Sequence, residues 1–147
     1  MNITINGKEL QCKSGETVLQ VARRAGIDIP RLCSLDWAPS PSASCRMCVV
    51  EVEGSPKLQT SCTLPATDGM VVRTHTPRVL KARRTIVELL VANHPQDCLV
   101  CHRAGNCELA DLARDLGARS KQYVGMKKDH PLDISSAAIW RDPNKCV

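Results

Sequence analysis

The sequence contains no phenylalanine, and Trp37, Tyr123 and Trp140 are its only Trp or Tyr residues. A core built from it is aliphatic and thin, and 147 residues are enough for one ordinary domain or two small ones that need a further staple. No apolar run approaches the roughly 20 residues of a membrane span. The N-terminal MNITINGKEL has neither the apolar h-region nor the cleavage signature of an export signal. There is no Gly-rich phosphate loop and no paired general acid and base, so no nucleotide, flavin or catalytic site is legible. Charge of one sign is also missing as a block. The net +5 arises from 20 basic and 15 acidic residues that are interspersed, without the aromatic interleaving of a nucleic-acid surface. A solvated surface facing an acidic partner protein accounts for this better than nucleic acid does. Its densest basic cluster is Lys81, Arg83 and Arg84 on a predicted helix.

Cysteine is abundant: there are nine. Without an export signal, clustered cysteines are expected to be metal ligands in a reducing compartment, the cytoplasm, rather than disulfides.

The periodicity changes along the chain. Ile3 and Ile5 alternate with polar residues, and Leu10 and Cys12 resume beyond Asn6-Gly7, which predicts an antiparallel hairpin with positive φ at both turn positions. Val18, Val21 and Ala22 recur at helical spacing between a Thr17 cap and a Gly26 stop. Leu35 to Ser44, with Pro39 and Pro41, predicts a loop. Met47 to Glu53 and Met70 to Thr76 predict strands. Thr76-Pro77 opens a helix whose stripe is Val79, Ala82, Ile86 and Leu90, running to about Asn93. Leu109, Leu112, Ala113 and Leu116 predict another helix closed by Gly117. Lys121 to Val147 is mostly irregular.

Two sets of soft ligands fall on this framework. Cys33, Cys45, Cys48 and Cys62 have the spacing C-x11-C-x2-C-x13-C. Four thiolates suit zinc or an iron-sulfur cluster, and ligand type alone does not choose between them. One close pair with two distant partners is the plant-type ferredoxin layout with a lengthened first interval, which favours a 2Fe-2S cluster over the paired knuckles of a zinc ribbon. Small residues Ser42, Ala43 and Ser44 let backbone N–H groups approach the sulfurs, which stabilises a reduced, more negative cluster. The second set, His94, Cys98, Cys101 and Cys107, lies within the single stretch HPQDCLVCHRAGNCEL, where thiolate and imidazole converge in one short loop as a pocket for a metal centre. His102 is expected to face solvent, and Cys12 to be a small core residue.

The segments PRLCSLDWAPSPSASCRMCVVEVEG and SCTLPATDGMVVRT resemble the 2Fe-2S domain that opens the large iron-sulfur subunit of NADH:quinone dehydrogenases (complex I) and of NAD-linked iron-only hydrogenases. The likeness extends over nearly the whole chain. HPQDCLVCHRAGNCEL is similar to the region that follows in that family, where one histidine and three cysteines hold a 4Fe-4S cluster. The resemblance makes His94, Cys98, Cys101 and Cys107 its ligands. It also implies that a stretch like RDPNKC leads into a bacterial ferredoxin run with Cys146 as first ligand. The chain departs from the family at Val147, so it is expected to be a piece of a longer subunit or to leave Cys146 an orphan thiol.

The expected fold is α+β: a β-grasp, ferredoxin-like 2Fe-2S domain over 1–76, a small helical 4Fe-4S domain over 77–120, and an extended tail over 121–147 that Ile139 and Trp140 pack onto a domain here or in a partner. The expected function is relay of single electrons, without a catalytic site of its own, as a component of an NAD(P)-linked oxidoreductase complex. The resemblance implies a flavin-bearing NADH dehydrogenase-like subunit and a thioredoxin-like 2Fe-2S subunit on the donor side. On the acceptor side it implies a hydrogenase, a formate dehydrogenase or a quinone-reducing module. The alternatives are a zinc-binding nucleic-acid or protein interaction module, and a thiol redox protein using Cys45-Arg46-Met47-Cys48, which lacks the βαβ context that lowers a thiol pKa.

Overall fold

The computed structural model describes residues 1–35, 42–118, 123 and 129–145. It divides into two compact units, Met1–Ile86 and Val87–Val147.

In the first unit, Asn6 (φ 52°) and Gly7 (φ 81°) turn β1 (Asn2–Ile5) into β2 (Lys8–Gln11), and the two pair antiparallel with Ile3 opposite Leu10. The helix α1 (Val18–Arg24) begins at Thr17, whose side chain and backbone exchange hydrogen bonds with Gln20 in a capping box. It stops at Gly26, φ 72°. Three further strands follow, β3 (Val49–Val52), β4 (Gln59–Thr60) and β5 (Val71–Arg73). The sheet order is β2-β1-β5-β3-β4, with β1 and β5 parallel and the other pairings antiparallel. This mixed sheet with a helix against it is the β-grasp arrangement. Its core joins Ile3, Ile5, Val50 and Val72 of the sheet to Val18, Val21 and Ala22 of α1 and to Ile29 beyond it.

The regular strands are shorter than the alternation predicts. Met47 and Cys48 form a turn before β3, and β5 ends at Arg73, after which the backbone N–H of Thr74 donates to Asn6 Oδ1 (2.8 Å) rather than to a strand. β4, two residues long, has no signal in the sequence because a period needs more positions to show. Cys12 lies one residue beyond β2 and is buried, with its Sγ 3.4 Å from the Met1 carbonyl. Of the predicted loop, 36–41 lie outside the described residues, as do Trp37 and Cys146.

The helix α2 (Pro77–Asn93) is capped by the Thr76 hydroxyl, which accepts from the Val79 N–H at 3.2 Å. Val79 is fully buried, while Ala82, Ile86 and Leu90 are half-buried. The basic cluster on this helix is not the solvated face expected of it: Arg83 is 1% exposed. It stands four residues from both Val79 and Val87, and so shares their buried face. In the second unit, a 3₁₀ turn (Cys98–Val100) precedes α3 (Glu108–Asp115), which buries Leu109 and is closed at Gly117, φ 60°. The described part of the tail holds a bridge between Asp133 and Arg141 and a 3₁₀ turn at Pro143–Lys145. Ile139 and Trp140 are 70% and 73% exposed, so no surface among the described residues covers them. No helix of the described residues is long and apolar enough to cross a membrane.

Candidate metal centres

Cys45, Cys48 and Cys62 are buried and Cys33 is half-buried. The fold brings them together from three places: Cys33 and Cys45 flank the loop after α1, Cys48 lies in the turn entering β3, and Cys62 follows β4. Ser61 fixes the last two relative to each other. Its N–H (3.0 Å) and its hydroxyl (2.8 Å) both donate to the Cys48 carbonyl, while its own carbonyl accepts from the Leu19 N–H of α1 (3.0 Å).

The four thiols sense one another: Cys33 and Cys45 interact through their thiols, as do Cys48 and Cys62, and Cys62 also feels the charges of Cys33 and Cys45. Among the described residues no three His, Cys, Asp or Glu side chains close on one point as a single metal ion requires. Burial raises the Cys62 thiol to about 12, helped by its contact with Cys48 and by the charges of Cys48, Cys33 and Cys45. Burial likewise raises Cys45. Cys33 runs the other way: burial pushes it up, but hydrogen bonds from the Ser42 hydroxyl, the Cys45 N–H and the Ser44 hydroxyl outweigh this and take it to about 6. The Cys45 N–H stands 3.5 Å from Cys33 Sγ, which is the approach of backbone to sulfur that the small residues 42–44 suggested. Ala43 (φ 54°) and Arg46 (φ 60°) bracket Cys45 in left-handed backbone that L-residues adopt at a cost, and such strain concentrates at binding loops. Four thiols in two pairs, fed by amide and hydroxyl donors, fit a binuclear iron-sulfur cluster.

The second set is displayed differently. His94 follows the last turn of α2, and its N–H is held by the Leu90 carbonyl at 3.0 Å. His94 Nδ1 lies 2.8 Å from the Pro95 carbonyl. A carbonyl only accepts, so Nδ1 donates, and Nε2 is the ring nitrogen left to face a metal. Cys98 opens the 3₁₀ turn and is exposed, while Cys101 and Cys107 are half-buried. The Arg103 N–H donates to Cys101 Sγ at 3.4 Å, and Cys107 is the residue that caps α3. One neutral nitrogen and three thiols on a single short loop fit a 4Fe-4S cluster. His102 is exposed. Sequence reasoning missed Lys145, whose Nζ pairs with Asp97 Oδ2 at 2.7 Å and which feels the charge of Cys101. No local signal joins positions this far apart.

Paired, amide-fed thiols on a β-grasp sheet, followed by a loop of one imidazole and three thiols, define an iron-sulfur protein with two centres. Residues 1–77 match the family described as 2Fe-2S iron-sulfur cluster binding domain, and residues 83–122 match the NADH-ubiquinone oxidoreductase-G iron-sulfur binding region. The chain therefore belongs to the 2Fe-2S iron-sulfur family shared by NADH-quinone oxidoreductases and NADP-reducing hydrogenases, and both its cluster types are those of that family. It is 48% identical over 151 residues to the NADP-reducing hydrogenase subunit HndD of Solidesulfovibrio fructosivorans, matching all of this chain and 26% of that subunit. It is 40% identical over 150 residues to the mitochondrial NADH-ubiquinone oxidoreductase 78 kDa subunit of Candida albicans, matching all of this chain and 21% of that one. Among solved structures, the NAD+-reducing [NiFe]-hydrogenase in the H2-reduced state superposes with a TM-score of 0.87 at 35% identity, over 99% of this chain and 61% of that one. The chain thus spans about a quarter or less of the length of these two curated relatives. None of these relatives supports the zinc-binding alternative.

Proposed function

We propose that the chain is an electron-relay module in which Cys33, Cys45, Cys48 and Cys62 hold a 2Fe-2S cluster and His94, Cys98, Cys101 and Cys107 hold a 4Fe-4S cluster. Such clusters accept and release single electrons when bound. The observation that carries this reading is the gathering of four thiols from three parts of the chain onto the β-grasp sheet, within residues 1–77 that match a 2Fe-2S iron-sulfur cluster binding domain. The chain's own contribution is to hold these donors in place and to favour the thiolate at Cys33. Ser42, Ser44 and the Cys45 amide stabilise the Cys33 thiolate, Ser61 locks the Cys48 turn, and the Pro95 carbonyl orients the His94 ring.

The proposed organisation is a 2Fe-2S domain over 1–76, a 4Fe-4S domain over 77–120 and a tail over 121–147. The relatives' names place such chains within NADH- and NADP-linked enzymes. This supports a flavin-bearing NAD(P)H-oxidising subunit, with a thioredoxin-like 2Fe-2S companion, as donor. For the acceptor, the names support a hydrogenase or a quinone-reducing module, and a formate dehydrogenase is proposed from the resemblance alone. The free thiols support a cytoplasmic setting.

Anaerobic iron, acid-labile sulfide and zinc analysis of the purified chain, with electron paramagnetic resonance of the reduced protein, tests the reading. About six irons and six sulfides, the sum for one 2Fe-2S and one 4Fe-4S cluster, with two distinguishable reduced signals, are expected. Stoichiometric zinc without sulfide would overturn it.

A further inference from the structure

Arg83 is the largest side chain wholly buried among the described residues. A buried cation is tolerated only where opposite charge and hydrogen bonds compensate it. Among the described residues no carboxylate lies within ion-pairing reach of it, and its Nε has no hydrogen-bond partner. One guanidinium nitrogen donates to the Val49 carbonyl at 2.8 Å. Val49 follows Cys48, so α2 is pinned to the turn that presents a cluster thiol. Burial lowers the Arg83 pKa to about 10, and the charge of Cys48, ahead of that of Asp28, opposes this; the side chain remains cationic at neutral pH. Asp28 is exposed, so solvent screens its contribution. The carbonyl that Arg83 holds belongs to the residue after Cys48, so the fold sets this cation beside the first centre.

We infer that Arg83 is a positioning residue for the 2Fe-2S centre, a fixed buried cation that both holds the Cys48–Val49 turn and raises the affinity of that centre for an electron. This rests on the four-cysteine reading of the first site. Reduction adds one electron to the centre, taken from the reductant, and no bond or proton changes at Arg83. The added negative charge is stabilised by a cation that the fold has already placed and dehydrated, so no side chain or solvent need reorganise as the electron arrives. A neutral side chain in the same place leaves the reduced state without that compensation.

The test is a potentiometric titration of the full chain followed by electron paramagnetic resonance, with the 4Fe-4S signal as internal control. Wild type must first show a 2Fe-2S signal; its absence would refute the ligand assignment rather than the role of Arg83. Arg83→Met is expected to weaken electron binding at the 2Fe-2S centre about tenfold or more, a fall of roughly 59 mV for one electron, with the 4Fe-4S centre unmoved. Arg83→Lys, which keeps the charge, is expected to stay within about threefold of wild type. An Arg83→Met chain with its 2Fe-2S signal intact and its potential unmoved would overturn the inference. If Arg83→Met fails to retain the cluster, Arg83→Lys decides: retention by Lys alone supports a requirement for charge, and loss in both variants reduces Arg83 to a packing residue and refutes the electrostatic role.

Discussion

The two cysteine sites of this chain are chemically alike and structurally opposite. At the first, Cys48 and Cys62 belong to the hydrophobic core itself, in one cluster with Val18, Val50 and Val72. At the second, Cys98 is exposed, and Leu99 and Val100 beside it are 99% and 79% exposed. A short stretch of chain, His94 to Cys107, carries four candidate ligands, but it does not shelter them. Shelter requires a sheet and a helix, and the first unit spends most of its scarce apolar side chains on it. The thin aliphatic core and the first centre are one object, whereas the second centre is carried on a loop.

Three experiments would break or sharpen that contrast. The largest effect is expected at the imidazole. His94→Ala should lose the 4Fe-4S cluster or leave it labile while the 2Fe-2S signal stays at wild-type intensity. His94→Cys should retain the 4Fe-4S cluster at a lowered potential, because a thiolate adds one negative charge. An unchanged second signal in His94→Ala removes His94 from the ligand set. A smaller effect is expected in the order of demetallation. Under an iron chelator, the 4Fe-4S absorbance should bleach about tenfold faster than the 2Fe-2S absorbance, since the buried site opens only with its unit and the exposed one by local fluctuation. Equal rates would mean that burial offers no protection here.

The smallest effect is within the first site, in the apoprotein. Cys33, near 6 when folded and about 8.5 when unfolded, is the thiolate at neutral pH, and Cys62, near 12, is not. Alkylation of the folded apoprotein at pH 7 should mark Cys33 first and Cys62 last. Linkage fixes the sign of the stability change. The depressed pKa of Cys33 stabilises the apo fold above the unfolded value, and this is lost as pH falls through about 6. The raised pKa of Cys62 favours the fold while the thiol is protonated, and this is lost as pH climbs from the unfolded value towards about 12. Labelling of Cys62 as fast as Cys33 would contradict both assignments.

Local signals were readable and long-range ones were not. Asn6-Gly7, Thr17 with Gly26, Thr76-Pro77 and Gly117 each act through the backbone of their immediate neighbours, and each marks a turn or helix end where expected. The capping partner Gln20 also stood in plain view, three residues after Thr17. The parallel pairing of β1 with β5 has no local cause, since it is decided by which strands share the core after folding. Spacing allowed the four first-site cysteines to be grouped, but not their pairing or the raising and lowering of their thiols, which depend on hydrogen bonds and burial that only the fold supplies. The charge of Arg83 pointed to the surface. Its position between Val79 and Val87 at four-residue intervals was the contrary signal, and periodicity outweighed chemistry.

Asn6 and Thr74 illustrate what the parallel strand pair entails. They bind each other reciprocally, Asn6 Nδ2 to Thr74 Oγ1 at 2.7 Å and the Thr74 N–H to Asn6 Oδ1 at 2.8 Å, across 68 positions of chain. During synthesis the edge of β1 that meets β5 therefore stays unpaired until β5 has been made. Loop closure on this scale is slow compared with a local turn. A seam joined across 68 positions therefore closes after the hairpin to which it is joined.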